Sequence, residues 1–277
     1  MKSQLERLDY LTEAFKQDSE EYKKLQTPAD VKGKKALLRS LMNIRMPKDI
    51  DEEVLAIQDE YLKEANRQKG IVTLNEIPTL SELLHDKQRH SDVISIYQGD
   101  ITCLAVDVIV NAANSQMLGC FIPMHNCIDN CIHTYAGIQL RAECDRQMKA
   151  KHIRYKEDYE QPTGIPLLTD GYNLPAKKVI HVVGPIVYDE VTPKLEEELA
   201  SCYRNSLDMC AQNDLRSIAF CCISTGVFRF PKKEAALIAV STVKKWLDEN
   251  EGKIERVIFN VFSDEDRMIY EQIFRIY

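Results

Sequence analysis

The chain has 277 residues, 44% hydrophobic and 29% charged, which suits one large globular domain or an ordinary domain with a smaller appendage. Its net charge of −7 argues against general electrostatic attraction to a nucleic-acid backbone. No apolar run reaches the roughly 18 residues of a membrane span, and the charged start MKSQLERLDYLTEAF lacks the apolar stretch of a signal peptide, so a cytoplasmic protein is expected. The nine cysteines are odd in number, and the chain is neither short nor marked for secretion. Core thiols and metal ligands are expected of them, rather than a disulfide framework.

Residues 1 to about 85 read as helical. Leu5, Leu8, Leu11 and Phe15 recur at helical spacing, as do Leu37, Leu38, Leu41 and Met42, then Val54, Ile57, Tyr61 and Leu62. Pro47 separates the second and third helices, and Asp49 or Asp51 can begin the third. These stripes suit a helical cap packed on a main domain.

From about residue 90 short β-branched runs appear, at 93–96, 106–110, 179–183, 218–223 and 257–262. Helical stretches lie between and after them, at about 128–149, 194–212, 231–248 and 264–276. Strand–helix alternation predicts an α/β layered domain with a mostly parallel sheet covered on both faces. Ligands of such sheets bind beyond the carboxyl ends of the strands, in the loops.

Those loops hold the unusual residues. Gln98-Gly99-Asp100-Ile101 follows the first strand, and Asp100 can accept from an amine or a ribose, although Gly-Asp after a strand is commonly only a turn. Asn111-Ala112-Ala113-Asn114-Ser115 ends the second, with amides that suit sugar hydroxyls or cap the local backbone. Ser224-Thr225-Gly226-Val227-Phe228 precedes a helix. Pro231 suits that helix's first position, Gly226 can turn its amide toward a ligand, and free amides at a helix start attract anions. Gly171-Tyr172-Asn173-Leu174-Pro175 reads as a structural turn.

Between these lies Gly119-Cys120-Phe121-Ile122-Pro123-Met124-His125-Asn126-Cys127. Thiolate and imidazole ligands favour zinc, and a loop bent at Pro123 can gather Cys120, His125 and Cys127 around one ion. The spacing is not that of a structural finger. Three ligands and a vacant fourth position suit catalysis better. Asp129 and His133 share a helix face just beyond, and Cys131 among apolar neighbours reads as a core thiol.

In this order, Gly99-Asp100-Ile101, Val110 to Ser115, Asp129 to His133, Gly171 to Lys177 with Val179-Ile180-His181, and Ser224 to Phe228 closely resemble the macrodomain family of ADP-ribose-binding modules. The resemblance covers roughly residues 90 to 277. The Cys120–His125–Cys127 loop, standing where most hydrolytic members are glycine-rich, resembles the zinc-containing subgroup of bacteria and some fungi. Members of that subgroup carry an N-terminal helical extension.

The resemblance implies a three-layer α/β/α fold with a mixed, mostly parallel sheet, a macrodomain over 89–277, a helical extension over 1–88, and one zinc ion. It also implies that Asp100 and the Ile101 amide meet adenine and that Asn111 supports its loop while Asn114 fixes the distal ribose. Ser224, Thr225, Gly226, Val227 and Phe228 would then wrap the diphosphate and distal ribose, with Asp129 and His133 taking part in hydrolysis. The expected reaction is zinc-assisted removal of mono-ADP-ribose from modified protein at C1″ of the distal ribose, the ester partner being an acidic side chain. The ion should face that ribose. A lipoyl-carrier protein is one substrate that the resemblance implies. A non-catalytic ADP-ribose reader with a bracing zinc, or an O-acetyl-ADP-ribose deacetylase, would share the pocket.

Overall fold

The computed structural model describes residues 2–84 and 88–276, so the expected end of the helical region near residue 85 lies outside the described residues. The described residues form two compact units. One holds residues 2–70, 118–159 and 171–174, and the other residues 71–84, 88–117, 160–170 and 175–276.

The first unit is helical. Its elements are α1 (Gln4–Lys16), the short α2 (Glu20–Lys23), α3 (Val31–Ile44), α4 (Glu52–Lys69), α6 (Ile128–Ala136) and α7 (Ile138–Arg154). The three amphipathic stripes of the sequence bury against one another: Leu8, Leu11, Phe15, Leu38, Leu41, Met42, Val54, Ile57, Tyr61 and Leu62 form a single core. Side chains set the helix starts. Ser3 and Glu6 form a capping box on α1, Asp30 caps α3, and Asp51, one of the two expected candidates, caps α4. The helix expected over about 128–149 is instead two helices. Gly137 ends α6 and begins α7 at φ 99°, and a Cβ there would crowd Gln139 Oε1 and Gln58 Nε2.

The second unit holds the sheet. Its strands are β1 (Val72–Thr73), β2 (Ile94–Gln98), β3 (Leu104–Ala105), β4 (Val108–Ala113), β5 (Leu167–Asp170), β6 (Lys178–Val183), β7 (Ser217–Phe220) and β8 (Arg256–Val261). Its helices are α5 (Leu80–Leu84), α8 (Pro193–Gln212), α9 (Lys232–Glu249) and α10 (Asp264–Ile276). Six strands pair in the order β2-β8-β7-β4-β6-β5, all parallel except β5, which runs antiparallel to β6. The β1–β3 pair and the edge strand β5 are additions to the expected set. β4, β6, β7 and β8 are buried along almost their whole length, as strands covered on both faces must be. α8 packs on β6 and α10 on β2, with α9 between them against both helices. No helix among the described residues is long and apolar enough to cross a membrane.

Candidate functional site

The loops of the second unit are fixed by strand ends. Gly99 donates to Val261 O at 3.0 Å, and Asn260 Nδ2 donates to Gly99 O at 3.0 Å, which ties the end of β2 to β8. Asp100 then caps a 3-10 turn, its Oδ1 accepting from Thr102 N at 2.9 Å and Thr102 Oγ1 at 2.6 Å. The fully buried Ile101 opens that turn.

At the end of β4 the two asparagines part company. Asn111 is wholly buried and shares a 3.0 Å hydrogen bond between its Nδ2 and His181 Nδ1 on β6, a contact between neighbouring strands inside the sheet. Asn114 is half-buried, and its Oδ1 accepts from Gln116 N at 3.1 Å. His181 is itself enclosed, with Nε2 3.0 Å from Thr169 Oγ1, and burial pushes its pKa down to about 3. The neutral ring therefore accepts from Asn111 at Nδ1 and carries its proton on Nε2, toward Thr169.

In the 224–230 loop the left-handed residues are Ser224 (φ 66°) and Arg229 (φ 59°), and Gly226 has an ordinary φ and open space around it. Phe230 N donates back to Ser224 O at 2.9 Å and Val187 N to Phe228 O at 2.9 Å, which closes the loop. Pro231 is the N-cap of α9 rather than its first residue, and no side chain caps that helix. Val227 is 75% exposed, and Phe228 is half-buried.

Two residues of this unit carry signals that sequence reading left unused. Gly184 lies where a Cβ would overlap Ser224 Oγ, so glycine is what lets the two loops approach. Phe262 follows β8 and is 81% exposed, while its carbonyl accepts from Gln98 Nε2 at 3.4 Å. Phe262 closes the apolar run 257–262 one residue past the end of β8, and an aromatic at a strand's carboxyl end is the signal that could have found it.

The Cys/His loop belongs to the first unit. Cys120 Sγ, His125 Nδ1 and Cys127 Sγ all lie within 4.8 Å of one another. Tetrahedral zinc, with bonds of about 2.3 Å to sulfur and about 2.0 Å to nitrogen, holds those two atoms about 3.5 Å apart. Cys120 Sγ is 3.6 Å from His125 Nδ1, so the donors fit that ion. Burial pushes the Cys127 thiol up to about 12, with the Asn130 amide opposing and Cys120 and Asp129 adding. A nearby cation would offset that burial, since metal ligation needs the thiolate. Cys127 is also the N-cap of α6, its sulfur accepting from Asn130 N at 3.4 Å, which suits a negative sulfur.

The same helix carries the other expected residues. Asp129 and His133 are both nearly enclosed, with Asp129 Oδ1 3.6 Å from His133 Nε2. Gly119, at φ 81°, lies against the imidazole so closely that a Cβ would overlap it. Arg141 of α7 reaches from beneath. Its Nε donates to Leu118 O at 2.7 Å, its Nη1 donates to Arg45 O at 2.7 Å and Met42 O at 3.1 Å, and its guanidinium lies over the Phe121 ring. Burial lowers its pKa only to about 10, so it stays charged at neutral pH.

All nine cysteines are free, and five of them (Cys103, Cys144, Cys202, Cys210 and Cys221) are buried. Cys131, expected as a core thiol, is only half-buried on α6, and Arg39 Nη2 lies 3.8 Å from its sulfur. Burial keeps the core thiols protonated. It pushes the Cys202 and Cys221 thiols up to about 12.

The sequence model of the Macro domain family matches residues 110–239. A protein-ADP-ribose hydrolase of Treponema medium is 45% identical over 98% of this chain and 99% of its own length. Another, from Staphylococcus aureus (strain MRSA252), is 42% identical over 99% of this chain and 97% of its own. Among solved structures, the Trypanosoma brucei macrodomain in complex with ADP-ribose is 30% identical with a TM-score of 0.64, covering 83% of this chain and 93% of that one. On this full-length relationship the chain belongs to the Macro domain family and is a hydrolase.

Proposed function

We propose that this chain is a zinc-dependent hydrolase that removes mono-ADP-ribose from modified protein, cleaving an ester to an acidic side chain at C1″ of the distal ribose. The observation that carries the reading is the Cys120–His125–Cys127 donor set, spaced for tetrahedral zinc and leading directly into the helix that carries Asp129 and His133. The names of the full-length relatives support the substrate class.

Each of this chain's residues has a task in that reading. Asp100 and the Ile101 amide receive adenine, and Asn114 holds the distal ribose while Asn111 keeps its loop in place from below. The 224–228 loop and the uncapped first turn of α9 offer donors to the diphosphate. The exposed ring of Phe262, at the strand ends beside Asp100, is suited to lie on the base. Cys120, His125 and Cys127 would hold zinc, which would supply Lewis acidity and activate a water. Asp129 orients the attacking water or takes its proton, and His133 keeps that carboxylate in place. The bond broken joins C1″ to the carboxylate oxygen. Water delivers hydroxyl to C1″, and the acidic side chain leaves as its carboxylate.

The test is metal removal. Chelated protein should bind ADP-ribose within a few-fold of untreated protein yet lose at least 100-fold in release of ADP-ribose from an automodified acceptor, and stoichiometric zinc should restore it. Full turnover by metal-free protein with intact binding would overturn the metal's role. Binding without turnover, even with zinc, would make the chain a reader, and faster action on O-acetyl-ADP-ribose would change the substrate.

A further inference from the structure

We propose that Arg39 of α3 is a positioning residue for the metal ion, fixing the carbonyl of His125 and the side chain of Asn130 so that Cys120, His125 and Cys127 meet one zinc. This inference rests on the zinc reading above and extends it to the N-terminal helices.

The Cys/His loop has little regular structure of its own. Residues 119–127 form no helix or strand, and Met124 sits at φ 59°, a strained backbone for a residue with a side chain. Something outside the loop must hold three donors within a few tenths of an ångström of the right geometry.

The holding groups converge from α3 and α6. Arg39 Nη2 donates to His125 O at 2.8 Å and to Asn130 Oδ1 at 2.9 Å. Asn130, fully buried, donates through Nδ2 to Ile122 O at 2.9 Å and Cys120 O at 3.3 Å, and its backbone N–H points to Cys127 Sγ at 3.4 Å. Asn43, one helical turn beyond Arg39, accepts from Met124 N at 3.0 Å and donates to Thr134 Oγ1 at 2.9 Å. Each of the three metal-binding residues is therefore touched by Arg39 or by the asparagine that Arg39 orients. The contact to His125 is singular, because Asn130 holds Cys120 and Cys127 while Arg39 alone among these side chains holds His125.

One terminal nitrogen of the half-buried Arg39 serves two acceptors at once, and Arg39→Met would leave His125 O without this donor and Asn130 Oδ1 with the longer 3.4 Å bond from Thr134 Oγ1. Groups one shell out from a metal change affinity by about 10- to 100-fold when removed.

The test measures zinc affinity by competition with a chromogenic chelator on the full chain, for the parent, Arg39→Met and Arg39→Lys. Arg39→Met should hold zinc about 10- to 100-fold more weakly, and Arg39→Lys should recover part of the loss. The rise in Tm on adding zinc should shrink in Arg39→Met, while its metal-free Tm and its ADP-ribose binding stay near the parent's. A role in folding alone would predict the opposite pattern, a lowered metal-free Tm with zinc affinity intact. Arg39→Met binding zinc within twofold of a zinc-binding parent overturns this inference and leaves the proposed function standing. A parent that binds no zinc overturns both.

Discussion

The strand-end loops and the Cys/His loop reach order by different routes. Gly99–Asp100 begins where β2 ends, Asn111–Asn114 closes β4, and 224–230 follows β7 by only a few residues. Their backbones are pinned by the sheet and by short-range turns such as Asp100 on Thr102 and Asn114 on Gln116. The Cys/His loop has no strand to start it, and it is held from outside by hydrogen bonds from Arg39, Asn43 and Asn130 and by the Arg141 guanidinium over the Phe121 ring. A loop pinned by its own strands should tolerate point changes in a ligand-contacting side chain. A loop assembled by distant side chains, and in the proposed reading around zinc, should fail as a unit.

The sharpest way to break that contrast is to remove one of the proposed zinc ligands. His125→Ala or Cys127→Ala should abolish zinc content and lower hydrolysis of ADP-ribosylated protein by more than about 100-fold, with ADP-ribose affinity changed by only a few-fold. Asp100→Ala should do the reverse, weakening ADP-ribose binding while zinc stays bound. Metal analysis, calorimetric titration with ADP-ribose and a turnover assay on the same preparations separate the two. If either ligand variant kept full zinc and full turnover, the Cys/His loop would not be a metal site.

The contrast also explains what the sequence could show. The order of strands and helices from residue 90 onward, the three N-terminal stripes and the strand-end motifs were legible because each is written in neighbouring residues. Leu8, Leu11 and Phe15 declare a buried helix face by spacing alone. The break at Gly137 was readable only in hindsight, since glycine inside an apolar period is often tolerated. β5 was missed because Leu167–Asp170 is short and lies at the sheet's edge. Arg39 was invisible for another reason: its partners His125 and Asn130 lie 86 and 91 residues away, and nothing local distinguishes it from a surface arginine.

A second probe reaches the sheet beneath the strand-end loops. His181 is neutral when folded, with a pKa near 3, whereas an unfolded chain protonates it near pH 6.5. Between those values the unfolded state binds the extra proton, so this group's contribution is complete above about pH 6.5 and is lost as the pH falls. At most about 1.4 kcal/mol per pH unit is at stake, or about 2 kcal/mol between pH 7 and pH 5. Urea unfolding of the metal-free protein at pH 7, 6 and 5 should show that decline, and His181→Gln should flatten it. Parallel pH slopes in parent and variant would mean that His181 does not remain neutral in the fold.

The smallest expected effect tests whether an exposed side chain at the strand ends belongs to the ligand site at all. Phe262 is 81% exposed directly after β8, its carbonyl accepting from Gln98 Nε2 of β2, so truncating its ring costs the fold little. Stacking of a base on an aromatic ring is worth about 1–3 kcal/mol, so Phe262→Ala should weaken ADP-ribose binding by about tenfold while Phe262→Tyr stays near the parent. The loss should disappear for ribose 5-phosphate, which has no base to stack, and zinc content should not move, because the Cys/His loop does not depend on this ring. Affinity for ADP-ribose within twofold of the parent would leave Phe262 outside the site. An equal loss with ribose 5-phosphate would mean that the ring shapes the loop rather than meeting the base.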